Sequence, residues 1–348
     1  MRRNRLGFLA GLALITALRP AGAAPLIDFP TENRALLGGR PQDFFMYVDR
    51  DFEGEKSKPW QGGQFGFVRG PVREKGRISY IQLHEGVDIA PVRRDAQGIP
   101  LDPVRAAAAG RMVHVSREAG ASNYGRYVVI EHLLDGSPVY TLYAHLASIA
   151  VEPGQTVAQG APIGVLGFTG AGINRERAHV HFEVCLMLSE NFPGWHEAHF
   201  PGNPNRHGLY NGLNLVGMDP ARLLMESQRN PSLHLADYVR ALEPTFKITI
   251  NNSPNLSLIR NYPWLVAPGS PASPPAWSIS FSRHGVPIKA EAAPAAVPAP
   301  TVTWVQDTDQ AYTHITKGIV GGSPGAPKLT ESGQRFVALL TWGTSPGH

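Results

Sequence analysis

Through the middle of the chain, hydrophobic and polar positions alternate with a period of two. Between His179 and Leu186, the side chains of Val180, Phe182, Val184 and Leu186 fall on one face of an extended strand, and His179, His181, Glu183 and Cys185 on the other. Runs rich in β-branched and aromatic residues predict further strands at Phe65–Val68, Ser79–Leu83, Met112–Val115, Arg126–His132 and Val139–His145, with the last at His179–Leu188. Asp135-Gly136 is a tight-turn signal, so Tyr127–Ile130 and Tyr140–Tyr143 are expected to pair as an antiparallel hairpin. The fold class that follows is mainly β, an antiparallel sheet with a few short helices.

The pattern changes on either side of this region. Residues 24–63 form an arm without periodicity, in which Phe44, Phe45, Met46 and Tyr47 are expected to pack on the following domain. An arm that lines or covers a groove is the functional alternative. Residues 189–218 read as a loop insertion containing Trp195, His196, His199 and His207, in which Trp195 and the histidines are placed to touch a substrate. Asp219-Pro220 then predicts a helix to about Ser227, with Asp as N-cap and proline at the first helical position. Ser232 is expected to cap a second helix, whose Leu235, Tyr238, Val239 and Leu242 share one face. Phe246-Ile248-Ile250, Trp277-Ile279-Phe281 and Arg335–Trp342 read as strands of a second β-rich unit, and proline-rich Ala292–Pro300 as an extended loop between two of them. Residues 231–348 carry no catalytic constellation.

Composition sharpens the picture in three places. With 43% hydrophobic residues the chain can bury a core, while 37 glycines and 31 prolines, about a fifth of it, point to a loop-rich β protein. Residues 1–23 read as a cleaved export signal: Arg2, Arg3 and Arg5, an apolar run from Leu6 to Leu18, then Ala21-Gly22-Ala23. That run is about 13 residues, short of the roughly 20 that span a bilayer, so no stable membrane anchor is expected after cleavage. The expected location is periplasmic or secreted. The full chain has 32 Lys and Arg against 28 Asp and Glu, but the leader holds four arginines and no acid, so the mature chain is neutral. Nothing in it suggests a nucleic-acid partner. A single cysteine, Cys185, excludes an intramolecular disulfide.

The candidate chemistry lies in five side chains: His84 and Asp88 in Leu83-His84-Glu85-Gly86-Val87-Asp88, His145 in Tyr143-Ala144-His145-Leu146, and His179 and His181 in His179-Val180-His181-Phe182-Glu183. Imidazole nitrogens with one carboxylate suit a zinc ion, and three protein ligands with a position left to water mark a catalytic site. Each piece has a bland reading, since an isolated H-x-H also fits a solvated strand face. In an extended strand the α-carbons of His84 and Asp88 would lie about 13 Å apart, too far to share one ion. A bulge or turn at Gly86 is therefore expected to bring them together. His196-Glu197-Ala198-His199 matches the zincin motif only superficially, because that motif needs two residues between Glu and the second His.

The sequence around these residues resembles the lysostaphin and LytM type zinc endopeptidases of family M23, whose motifs are H-x-G-x-D, Y-x-H-L and H-x-H-F-E. The resemblance runs from about Gln64 to Glu183 and includes Ala109-Gly110-Arg111-Met112-Val113, Tyr124–His132, and Pro153-Gly154-Gln155 leading to Ile163–Gly170. It implies a LytM-like antiparallel catalytic domain at 64–230, with its core at 64–188. It makes His84, Asp88 and His181 the ligands of one Zn2+ ion, and His145 and His179 the catalytic pair. It also implies a peptidoglycan peptide as substrate. Val180 stands where the family often has Leu, and Ala171–Arg177 is longer and more charged than the usual glycine-rich approach. The alternatives are a non-catalytic wall-binding or amidase-activating module, and a zinc peptidase acting on a protein.

Overall fold

In a computed structural model, which describes residues 24–343, the first regular feature of the motif-bearing region is a two-stranded hairpin of β1 (Gly66–Glu74) and β2 (Arg77–His84). The leader expected at 1–23 lies outside the described residues. A break at Glu85-Gly86 separates β2 from the short β3 (Val87–Ile89). The main sheet is built from β4 (Gly110–Ser116), β5 (Tyr127–Leu134), β6 (Ser137–Ala144), the two-residue β7 (Thr156–Val157), β8 (Val180–Met187) and β9 (Leu215–Met218). Its spatial order is β7-β4-β5-β6-β8-β9, antiparallel throughout. The β5–β6 hairpin forms as expected, because Asp135 and Gly136 both take positive φ, 51° and 74°, which a two-residue reversal matched to strand twist requires.

Strand β8 organises the site. Along one edge it pairs with β6 over His181–Cys185. Along the other it pairs first with β3, placing His181 opposite Asp88, and then with β9. All eight of its residues are buried. The 189–218 segment covers the face that carries Glu183 and Cys185. Tyr127, Tyr140, Leu142, Cys185 and Met187 form a second small core there, closed by Leu209, Tyr210 and Leu215.

That segment is also more regular than expected. Phe192–His199 is helix α1, and Leu215–Met218 is β9 itself. The helix faces the C-terminal half: Trp195 donates its indole N–H to the Arg335 carbonyl, and His199 packs on Trp342. The next helix, α2 (Pro220–Arg229), begins as predicted, with the Asp219 side chain accepting from the Arg222 N–H. Helix α3 (Leu235–Arg240) starts at His234 rather than at a Ser232 cap, and the Asp135 carboxylate takes the Ala236 N–H.

In the C-terminal region β10 (Phe246–Asn251), β11 (Ala276–Phe281), β12 (Pro287–Ala293) and β13 (Thr301–Val305) form an antiparallel sheet in the order β12-β11-β10-β13. The strand expected at Arg335–Trp342 is instead helix α4 (Glu331–Thr341), capped by Thr330, whose hydroxyl accepts from the Gly333 N–H. Val337 and Leu340, within the apolar run that suggested a strand, are buried at helical spacing with Gly333 one turn earlier. One continuous core runs from Leu26 through both halves to Leu340.

The N-terminal arm packs on the edge of the site. Phe44, Phe45 and Met46 are buried, Phe45 bridges to Ile89, and the Met46 N–H donates to the Asp88 carbonyl at 2.8 Å. No arm residue lines the groove described below. Among the described residues no helix is long and apolar enough to cross a membrane.

Candidate metal centre and its groove

The break at Gly86 does more than bend the chain. A β-carbon built there would sit 2.4 Å from the Phe182 carbonyl oxygen and 3.0 Å from Cε1 of His181. Only glycine lets this loop lie directly on β8, and that contact closes the gap between His84 and Asp88. His84 Nε2 then lies 3.1 Å from Asp88 Oδ1, and His181 Nδ1 lies 3.0 Å from both of these atoms. The three side chains are the set among the described residues whose ligand atoms all fall within 4.8 Å of one another. All are buried.

Hydrogen bonds fix the tautomers of the surrounding imidazoles. His84 Nδ1 faces the Gln64 carbonyl at 2.7 Å, and a carbonyl can only accept, so the proton is on Nδ1 and the Nε2 lone pair turns inward. His181 is arranged the other way round. Its Nε2 donates to Glu183 Oε1 at 2.8 Å, leaving the Nδ1 lone pair for the centre. Glu183 is itself held by the Tyr124 hydroxyl at 2.8 Å and by Cys185 Sγ at 3.3 Å. A carboxylate behind a ligating histidine is a recurring support of metal sites. Cys185 is thus a buried packing and support residue rather than a ligand.

His145 and His179 stand beside this triangle. Their ring centroids are 4.8 Å apart, and His179 Nε2 is 3.4 Å from Asp88 Oδ1. His145 Nδ1 donates to the Thr169 carbonyl at 2.9 Å and His179 Nδ1 to the Arg177 carbonyl at 2.6 Å. Each therefore presents an unprotonated Nε2 in its neutral form. His145 adopts φ 63°, a left-handed conformation that a non-glycine residue seldom takes. It is kept there by its N–H bond to the Tyr124 carbonyl and by Gly125, where a β-carbon would strike Thr169 at 2.4 Å.

The electrostatics divide the five residues. Burial, with His179 and His181 nearby, pushes the His145 pKa well below the ordinary imidazole value. Burial likewise lowers His84, against the pull of Asp88. For Asp88, burial alone would raise the carboxyl, but the imidazoles of His179 and His84 outweigh it and hold it well below the usual range. His181 goes up to about 9, because its bonds to Asp88 and Glu183 outweigh the burial that disfavours its charge. Asp88 is therefore held as a carboxylate at the centre of the cluster. Two imidazole lone pairs and a carboxylate oxygen converging there match the donor chemistry of zinc.

All five residues open onto one groove of about 710 Å³. Its walls include residues that the motifs did not single out: Arg69, Ser122, Asn123, Tyr124, Arg177 and His207. Of the insertion's candidates, only His207 reaches it, with its Nδ1 2.6 Å from the Tyr127 hydroxyl. Trp195, His196 and His199 do not line it. Tyr124 lay within a family-like stretch, whereas Arg69 carried no local signal at all.

Residues 82–191 match the family model described as Peptidase family M23. The site lies within the segment that matches this peptidase family. A curated relative from Haemophilus influenzae, named an uncharacterized metalloprotease, is 34% identical over 134 residues, covering 35% of this chain and 25% of the relative. The match thus spans about a quarter of that protein. Among solved structures, a zinc-containing peptidase from Vibrio cholerae is 24% identical, with 47% of this chain and 37% of that one covered and a TM-score of 0.29. The catalytic domain of lysostaphin from Staphylococcus simulans is 27% identical, with 35% and 75% covered and a TM-score of 0.25. The M23 match contains all five site residues and ends before β9, the α2 and α3 helices and the C-terminal sheet.

Proposed function

We propose that this chain is an exported zinc endopeptidase that hydrolyses peptide cross-links in bacterial peptidoglycan. The observation that carries the hydrolytic reading is the convergence of His84, Asp88 and His181 on one point, with His145 and His179 beside it in the same groove. The wall substrate is supported by the M23 match and by the motifs it contains. Export is supported by the leader-like residues Arg2 to Ala23.

His84 Nε2, Asp88 Oδ1 and His181 Nδ1 would hold the ion. Zinc supplies Lewis acidity, lowering the pKa of a water and polarising the scissile carbonyl. His145 and His179 perform the proton chemistry. Each has Nδ1 committed to a backbone carbonyl, so each Nε2 can take a proton from the attacking water and return it to the leaving amine. Once protonated, either ring can stabilise the oxyanion. Glu183 is engaged by His181 and Tyr124 and is not free to act as a base, while Glu85, on the groove wall, faces Lys317 at 3.9 Å.

Digestion of purified peptidoglycan, followed by mass spectrometry of the released fragments, tests the reading. The expected result is loss of cross-linked species and one new amine and carboxylate pair at a defined peptide bond. An intact wall alongside cleavage of a glycine-rich protein would replace the substrate. A zinc-free protein that leaves the wall intact but stimulates an amidase would replace the enzyme with an activating module.

A further inference from the structure

We propose that Arg69 is a positioning residue that restricts Asp88 to a single ligand oxygen. The proposal rests on the metal-centre reading above. The two oxygens of Asp88 have different surroundings. Oδ1 faces inward, 3.1 Å from His84 Nε2, 3.0 Å from His181 Nδ1 and 3.4 Å from His179 Nε2. Oδ2 is taken by Arg69 Nη2 at 2.6 Å, a short charge-assisted bond. A carboxylate without such a partner can rotate to offer both oxygens to an ion. With Oδ2 held, rotation would break the ion pair.

The arginine is itself fixed. Its Nε donates to the Gly62 carbonyl at 2.9 Å, so the planar guanidinium spans from the arm to Asp88 and cannot follow the carboxylate if it turns. A β-bulge aims it there: the register of β1 against β2 shifts between Phe67 and Arg69, leaving Val68 unpaired. Bulges beside active sites commonly redirect a side chain in this way. The arm holds Asp88 at a second point, through the Met46 N–H on its carbonyl. The arm does not line the groove but sets the orientation of a ligand from behind.

Cobalt substitution of the full-length protein tests this, because Co2+ absorption in the visible range reports coordination number independently of turnover. Wild-type protein is expected to give the intense spectrum of a low-coordinate site. Arg69→Gln should weaken that absorption per bound cobalt as Asp88 becomes bidentate, and raise the dissociation constants for Co2+ and Zn2+ by about 10- to 100-fold. Should Arg69→Gln fail to fold by circular dichroism, Arg69→Lys keeps the charge but not the two-point hold, and is expected to show the same spectral change with a smaller loss of affinity. Arg50→Gln is the control, since Arg50 ties the arm to the same hairpin through Tyr80 and the Val68 carbonyl without touching Asp88. It should leave the spectrum unchanged. A folded Arg69 variant with wild-type affinity and spectrum overturns the proposal, as does an equal spectral change in Arg50→Gln. Wild-type protein that takes up no cobalt overturns the metal-centre reading, and this proposal with it.

Discussion

At the scale of single residues, the site separates groups by what lies behind each ring. A carbonyl behind His84, His145 and His179 fixes the proton on Nδ1, whereas a carboxylate behind His181 fixes it on Nε2. This predicts distinct defects. His181→Ala should lose zinc, while His145→Ala and His179→Ala should keep it and lose hydrolysis, as measured by metal content and wall digestion on the same samples. Loss of zinc from all three would overturn the division. The five residues were legible in the sequence because each sits in a short motif. Their supports were legible only where they share a motif, as Glu183 does. Arg69 is brought to Asp88 by a bulge and an arm contact, neither of which has a local pattern.

At the scale of elements, close backbone approach decides more than periodicity does. The sequence called for a bend at Gly86 on distance grounds, and the structure adds that β8 passes directly beneath it. Gly86→Ala would place a methyl group 2.4 Å from the Phe182 carbonyl and 2.8 Å from Cγ of Glu183. We expect a destabilisation of about 1–3 kcal/mol, typical of overpacking, together with weaker zinc binding. Thermal melting and zinc titration check this, and a variant matching wild type in both would show that the loop can lift away. Strands β4, β5, β6 and β8 of the main sheet were legible because alternation and turn residues agreed, whereas β7 and β9 were not. Helix α4 was not, since Phe336-Val337-Ala338-Leu339-Leu340 has no polar gaps to separate a period of two from 3.6. The 189–218 segment was misjudged for a related reason: whether it covers the second face of the sheet depends on tertiary packing.

For the whole molecule, the C-terminal half and the region that holds the five site residues share a core and a set of surface ties. His284, in the turn after β11, packs against Phe65 and Phe67 at the start of β1, while Lys317 lies 3.9 Å from Glu85 beside the groove. Burial, reinforced by the charges of Arg283 and Lys317, lowers the His284 pKa to about 3. The unfolded chain takes up this proton below about 6.5, whereas the folded chain does not until about 3, so stability falls as pH drops through that window. His132 and His114, also lowered by burial, act in the same direction. The melting temperature should therefore fall from pH 7 to pH 5, and His284→Gln should flatten the slope. An unaltered slope would mean that this contact opens without unfolding. The motifs suggested a metal-binding region and a β-rich remainder, but the shared core carried no such signal, because its contacts join residues far apart in the chain.

The left-handed backbone at His145 has a consequence for anyone evolving this protein. Asparagine and glycine occupy that conformation more readily than histidine does, so holding it costs about 1–3 kcal/mol that the fold must offset. His145→Asn should melt at a higher temperature than wild type while losing hydrolysis, and an unchanged or lower melting temperature would show that the histidine's own bonds compensate. Selection for heat resistance alone would then favour chains that have lost this histidine, because strain relief and its proposed catalytic role compete for the same position.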